Sequence, residues 1–168
     1  MGDPTITAAR AEHLPEVAAI YAAAALTPAT FDLEGWSSER WLEVLEAVDE
    51  RAGNQLLVAL GEGDAVLGYA RSGPFKDRAA YATTRETSLY VAERARGRGV
   101  GDALYAELLR RLEGVGLRLA VAGVAQPNPA SDRLHRAHGF VEVGTFRNVG
   151  VKLGRAWDVR WYQRPLRP

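Results

Sequence analysis

Apolar positions recur along this chain in two periods, and the places where one period gives way to the other mark its elements. Residues 5–10 read as a short strand. From Glu12 the segment E-H-L-P-E-V-A-A-I-Y-A-A-A-A-L sets Leu14, Val17, Ile20, Tyr21 and Ala24 along one helical face, and Pro28 stops that helix. A second helix starts at Ser37 or Ser38, carries Trp41, Leu42, Leu45 and Val48 on its buried stripe, and has Gly53 just past its end. Q-L-L-V-A-L and A-V-L-G-Y-A-R-S read as strands joined by G-E-G-D, a glycine-containing connection of hairpin length.

The second half continues the alternation. A strand over residues 83–91 leads through a glycine-rich loop into a helix lined by Val100, Ala103, Leu104, Leu108 and Leu112 and ended by Gly114. L-R-L-A-V-A-G-V is short and apolar at nearly every other position, which predicts a strand with a buried face. Asn128 then serves as N-cap with Pro129 at the first helical position, and Gly139 closes the helix. F-V-E-V-G-T-F-R and residues 157–164 are two more strands, paired antiparallel. The pattern predicts an α/β (α+β) protein, a mixed sheet with helices on its faces, as one domain over residues 1–168.

Composition narrows the function classes. With 47% apolar and 25% charged residues the chain has the balance of a globular domain, and 21 basic residues cancel 21 acidic ones. Bulk charge therefore points to no nucleic acid and no membrane surface as partner. Absence of cysteine excludes disulfides, zinc-thiolate sites and thiol nucleophiles. The start, M-G-D-P-T-I-T, lacks the basic and apolar blocks of a signal peptide, and no segment approaches the roughly 20 apolar residues of a membrane span. A cytoplasmic protein is the expectation.

One loop stands out chemically. Residues 94–102 read R-A-R-G-R-G-V-G-D, directly ahead of a helix. No Gly-Lys-Ser/Thr ends it, so it is not a Walker A loop, and Asp102 stands where a dinucleotide fingerprint needs its third glycine. What remains is R-x-x-G-x-G at Arg96, Gly99 and Gly101. Glycines let amides approach a phosphate, and the unpaired N–H groups at a helix start favour negative charge. The helix dipole contributes only about 0.3–1 kcal/mol, so aligned hydrogen bonds and arginines must supply most of any affinity. A surface turn with solvated arginines is the alternative for the loop taken alone.

Wider context adds to that reading. The run E-T-S-L-Y-V-A-E-R-A-R-G-R-G-V-G-D-A-L-Y, followed after a strand by N-P-A-S-D-R-L-H-R-A-H-G-F, resembles the GCN5-related N-acetyltransferase (GNAT) superfamily, and within it the phosphinothricin acetyltransferase group. Nearly the whole chain takes part, including F-K-D-R-A-A-Y and the terminal W-D-V-R-W-Y-Q. The resemblance implies a mixed, mostly antiparallel sheet flanked by helices on both faces. It also implies transfer of acetyl from acetyl-CoA to the primary amine of a small amino-acid-like molecule of the phosphinothricin, methionine sulfoximine or methionine sulfone type, without a metal. The backbone at Leu89, Tyr90 and Val91 would pair with the pantetheine arm. Arg96, Gly97, Arg98, Gly99, Val100, Gly101 and Asp102 would seat the pyrophosphate. Asn128 and Ser131 would meet the cofactor from the next strand-to-helix junction.

An amine near its solution pKa is mostly protonated at neutral pH, so direct attack on a thioester needs a base. The resemblance assigns that role to Glu86. His135 occupies the position where many superfamily members place a tyrosine; proton donation to the thiolate, a hydrogen bond to the sulfur, assistance to the amine and plain packing stay open for it. His13 and His138 match no motif and read as surface or structural residues. Lys76, Arg78 and Tyr81 fall in the segment that matches W-K-A-R-N-A-Y in the relatives, where charged side chains can hold a carboxylate or phosphinate, with a solvated loop as the alternative; Phe31 is the fourth candidate for substrate binding. Two departures weaken transfer of the herbicide substrate: F-R-T-E becomes F-D-L-E at Phe31 to Glu34, and G-G-W-H-D becomes G-R-A-W-D at Gly154 to Asp158. Trp36, Trp157 and Trp161 are expected in core or interface. A homodimer through the C-terminal region is implied as well, and peptide acetylation or a non-catalytic acyl-CoA sensor are the alternatives.

Overall fold

A computed structural model describes residues 3–167. The two ends of the expected domain and of its N-terminal segment, residues 1, 2 and 168, lie outside the described residues. Chain order is β1 (Thr5–Ala8), α1 (Leu14–Ala25), α2 (Ser38–Glu46), β2 (Gln55–Leu60), β3 (Val66–Pro74), β4 (Thr84–Val91), α3 (Val100–Leu112), β5 (Leu119–Gln126), α4 (Pro129–Ala137), β6 (Val141–Lys152) and β7 (Arg155–Pro165). The strands form one sheet in the order β1-β2-β3-β4-β5-β7-β6. β4 and β5 run parallel, joined through α3, while the neighbouring pairs on either side are antiparallel. This is the mixed, mostly antiparallel sheet that the resemblance implied.

Alternation along β3 and β4 assigns the helices to faces. Tyr69 and Tyr90 are register partners that stack at 5.5 Å, and they meet Tyr21 of α1 and Trp41 of α2. Neighbouring positions point the other way. A Cβ added at Gly68 would meet Leu104 of α3, and the Thr87 hydroxyl lies 2.8 Å from that of Tyr105 on α3. Helices therefore cover both faces, and the core runs through the sheet, with Val17, Trp41, Leu57, Tyr69, Leu104, Leu108 and Tyr162 fully enclosed.

Several boundaries differ from the pattern reading, each for a local reason. β1 stops at Ala8, because residues 11–13 turn in a 3-10 helix held by the Arg10 N–H on Nδ1 of buried His13. α1 ends at Ala25, ahead of Pro28, where the Thr27 hydroxyl donates to the Ala24 carbonyl. Ser37 caps α2, yet only Trp41 is fully buried there; Leu42 is 43% exposed and Val48 lies beyond the helix. β6 and β7 extend to a tight turn at Leu153 and Gly154, both at positive φ, so the hairpin is much longer than the two short runs suggested.

Candidate active site

β4 and β5 share only three register pairs: Thr84 with Leu119, Arg85 with Ala120, and Glu86 with Val121. Beyond them the strands part. β4 stays paired to β3 as far as Val91, and β5 stays paired to β7 as far as Gln126. The sheet thus opens into a wedge whose walls are residues 87–91 and 122–126, each with one backbone edge lacking a strand partner. Thr87 closes its apex on the α3 side, its hydroxyl donating to the Val121 carbonyl at 3.2 Å.

At the mouth of the wedge, where β4 hands over to α3, stands the glycine loop. Gly97 and Gly99 hold φ of 71° and 76°. A Cβ at either would touch nothing within 4 Å, so the backbone conformation and not crowding calls for glycine. Gly99 is the N-cap of α3, and Asp102 lies in its first turn. Among the described residues, no backbone or side-chain acceptor takes the N–H groups of residues 97–102, including Val100 and Gly101. A row of undirected donors at the positive end of a thirteen-residue helix is a fit for a diphosphate. Arg94 donates to the Val66 carbonyl at 2.8 Å and meets Glu16, while exposed Arg96 and Arg98 take part in no ion pair among the described residues. Asp102 is tied at 2.8 Å to His138, the residue that caps the end of α4.

The second junction carries Asn128, whose Oδ1 accepts the Ser131 N–H at 3.1 Å and caps α4, leaving its amide NH2 available to a ligand carbonyl. One turn on, the ring of His135 is enclosed by Tyr105, Phe140 and Tyr162 and is only 7% exposed. Its Nδ1 lies 2.8 Å from the Ser131 carbonyl, which fixes the Nδ1–H tautomer. Burial holds its pKa below the ordinary imidazole value, so it is neutral near pH 7 with an acceptor lone pair at Nε2. His135 stands on the α3 side of the sheet, as Tyr105 does.

Glu86 points to the other side. On β4 it alternates with buried Arg85 and Thr87, and shares its face with Ser88 and Tyr90. Burial raises its carboxyl pKa, an effect that Arg71 and Lys76 nearby partly oppose. The surrounding wall is aromatic. Trp161 packs over Gly123 of β5, Phe75 meets Trp161 edge-on at 5.9 Å, and Tyr81 meets Phe75 at 5.7 Å. Phe31 leans on Gly150 of β6, and Lys152 holds that loop by donating to the carbonyls of Thr30 and Asp32 at 2.7 Å. Lys76 is exposed beside the Phe75 ring, and Arg78 is exposed at the start of a 3-10 turn.

Sequence reasoning missed Arg71, Phe75 and the clamp made by Lys152. The first two come near Glu86 only through the pairing of β3 with β4, and the third joins residues 120 apart, so none had a local signal.

The family model for the acetyltransferase (GNAT) family matches residues 17–140. The chain belongs to this family, whose class is the acetyl-CoA-dependent N-acetyltransferase. A phosphinothricin N-acetyltransferase from Streptomyces coelicolor is 50% identical over 141 residues, 83% of this chain and 82% of that protein. Among solved structures, a GNAT superfamily phosphinothricin acetyltransferase from Sinorhizobium meliloti in complex with acetyl-CoA superposes with a TM-score of 0.93 at 35% identity, over 99% of this chain and 90% of the other. A ribosomal-protein-alanine N-acetyltransferase from Brucella melitensis superposes with a TM-score of 0.90 at 38% identity, over 96% and 99%. Among the described residues, no helix is long and apolar enough to cross a membrane.

Proposed function

We propose that this protein acetylates the primary amine of a small amino-acid-like molecule, of the phosphinothricin, methionine sulfoximine or methionine sulfone type, with acetyl-CoA as co-substrate and Glu86 as general base. The observation that carries the reading is the position of Glu86: a half-buried carboxylate with a raised pKa where the β4–β5 ladder ends, below a row of unpaired N–H groups. The names of the Streptomyces coelicolor and Sinorhizobium meliloti relatives agree with it.

Residues 97–102 hold the pyrophosphate, with Arg96 and Arg98 beside it. The free edge of β4 at Leu89, Tyr90 and Val91 pairs with the pantetheine amides, and Asn128 and Ser131 face the arm from the other wall. Acetyl-CoA brings the acyl group already activated as a thioester. Glu86 takes one proton from the bound ammonium and passes it to solvent. The amine nitrogen then bonds to the carbonyl carbon, the carbon–sulfur bond breaks, and the second proton lost by nitrogen ends on the departing thiol. His135, neutral and with its Nδ1–H engaged, enters only as a hydrogen-bond acceptor at Nε2 or by placing Ser131. Phe31 and Tyr81 bound the acceptor pocket, with Lys76 and Arg78 at its rim. No metal is needed, because thioester acylation of an amine requires only charge stabilisation and proton transfer.

The Brucella melitensis relative favours a second reading, acetylation of a protein N-terminus. A thiol-release assay separates the two. Purified protein and acetyl-CoA are offered phosphinothricin, methionine sulfoximine and methionine sulfone, and separately peptides beginning with alanine or serine. Release with the amino-acid analogues supports our reading. Release with peptides alone transfers the activity to protein acceptors, and release with neither, despite tight acetyl-CoA binding, overturns both.

The protein works as a homodimer in the cytoplasm. Support for the dimer comes from β6, an outer strand whose Val141, Val143, Phe146, Val149 and Val151 are more than half exposed.

A further inference from the structure

Four residues of β3 and β4 form a square on the face that carries Glu86. Register places Arg71 opposite Ser88 and Gly73 opposite Glu86, so the two charged residues sit on a diagonal. The other diagonal, Ser88 and Gly73, is a floor of small residues. A Cβ added at Gly73 would have no heavy atom within 4 Å, so the space above that corner is open. Diagonal neighbours in an antiparallel pair stand about 7–8 Å apart. At that separation Arg71 and Glu86 do not need to pair directly, and they do not; among the described residues Arg71 joins no ion pair and donates no side-chain hydrogen bond.

Arg71 is a half-buried residue whose guanidinium donors have no protein acceptor among the described residues and so are open to a ligand. Arg71 is nevertheless held in place, its guanidinium 4.8 Å from the centroid of Trp36, whose indole N–H is fixed on Asp32. Being on a central strand, it is also more rigidly placed than Lys76 or Arg78, which are exposed on a connecting segment. The diagonal suits a molecule with a cationic amine and an anionic oxygen pair separated by one carbon. Its amine reaches Glu86 and its carboxylate meets the planar fork of the arginine.

We infer that Arg71 is the specificity-determining residue for the acceptor, receiving the α-carboxylate of an α-amino acid while Glu86 faces the amine. This rests on the reading that the protein acetylates amino-acid-like acceptors. It also supplies a carboxylate partner within a pocket that has Asp32 where the relatives' F-R-T-E segment has arginine.

The test compares methionine sulfone with its α-carboxamide, which keeps the amine and removes the charge. Wild-type protein favours the acid in kcat/KM. Arg71→Gln lowers that acid-to-amide ratio by about 10- to 100-fold, mainly through KM for the acid, and leaves KM for acetyl-CoA within about 2-fold. Arg71→Lys, which keeps the charge and loses the fork, retains part of the preference and guards against a folding artefact. An acid-to-amide ratio unchanged in Arg71→Gln overturns the assignment of Arg71 while leaving amino-acid acetylation intact. A wild-type protein that acetylates neither compound overturns the functional reading and this inference together.

Discussion

Glu86 and Val121 are the last residues that β4 and β5 pair, and the carboxylate stands where two halves of the sheet separate. Glu86→Gln keeps the shape and removes the base. Its kcat/KM for the amine should fall by about 100- to 10,000-fold, with the dissociation constant of acetyl-CoA little changed. The wild-type profile should lose activity on the acid side as Glu86 protonates, at a pH above the ordinary carboxylate range because burial raises its pKa. That limb should be missing in Glu86→Gln. A variant that turns over at the parental rate would remove Glu86 from the reaction.

The same burial has a cost in stability, with a definite sign. A carboxyl whose folded pKa exceeds its unfolded value favours folding in its protonated form and opposes it once ionised. Its stabilising contribution is complete below the unfolded pKa and is lost as pH rises through the folded one. Glu86→Gln should therefore unfold at higher denaturant than wild type at pH 7, and the gap should close below about pH 4. Paired urea melts at the two pH values measure it; a variant less stable at pH 7 contradicts the sign.

Two glycines of the loop should respond in opposite ways. Gly99→Ala places a side chain at φ 76°, which costs about 1–2 kcal/mol of stability. Gly101 has no positive φ, and its added Cβ would meet Leu89 at 3.5 Å and Val91 at 3.6 Å, ordinary contacts inside a helix. Gly101→Ala should be neutral or up to about 1 kcal/mol stabilising, yet weaken acetyl-CoA binding if the close approach belongs to the diphosphate. Calorimetry on both variants separates a fold requirement from a ligand requirement; undiminished binding by Gly101→Ala breaks the link.

The regular framework was readable because its signals are local. Asn128 as N-cap, Pro129 behind it and the α3 stripe of Leu104, Leu108 and Leu112 all stand where periodicity and cap chemistry put them. What escaped depends on residues distant in sequence. The pairing of β4 with β5 for only three positions follows from how two half-sheets meet, and nothing within E-T-S-L-Y-V announces it. Arg71 looked like an ordinary polar strand residue until the register set it across from Ser88. The resemblance alone points to Phe31; its contact with Gly150, and the Lys152 clamp beside it, exist only because the β6–β7 hairpin folds back on the loop after α1.

Asp132 ties the α4 start to the sheet. Its carboxylate, 8% exposed as a residue, accepts from Tyr162 at 2.8 Å, from Gln126 at 3.0 Å and from Arg160 at 2.8 Å. Asp132→Ala orphans the buried Tyr162 hydroxyl, while Gln126 keeps the Val124 carbonyl and Arg160 keeps Glu142, and should cost about 1–3 kcal/mol. Since Asn128 lies one turn before it and Ser131 directly before it, acetyl-CoA affinity should fall too. Thermal unfolding with and without the ligand checks both, and a loss under about 1 kcal/mol would show the network to be dispensable.

The outer edge of β6 sets the last expectation. Val151 is 75% exposed on a strand with no neighbour on that side among the described residues, and Val149 and Val143 share its apolar character. Long apolar edges invite pairing, and monomeric proteins usually blunt them with charge or proline. This stretch, V-E-V-G-T-F-R-N-V-G-V-K, has its charges at Glu142, Arg147 and Lys152 and leaves the run from Asn148 to Val151 uncharged. Light scattering on wild-type protein at micromolar concentration should give a dimer mass. Val151→Asp should barely alter the monomer fold, because so exposed a side chain contributes within about 0.5 kcal/mol, but should shift the mass to that of one chain by carrying an unpaired charge into the contact. A wild-type monomer, or a Val151→Asp dimer as tight as the parent, removes β6 as the assembly surface.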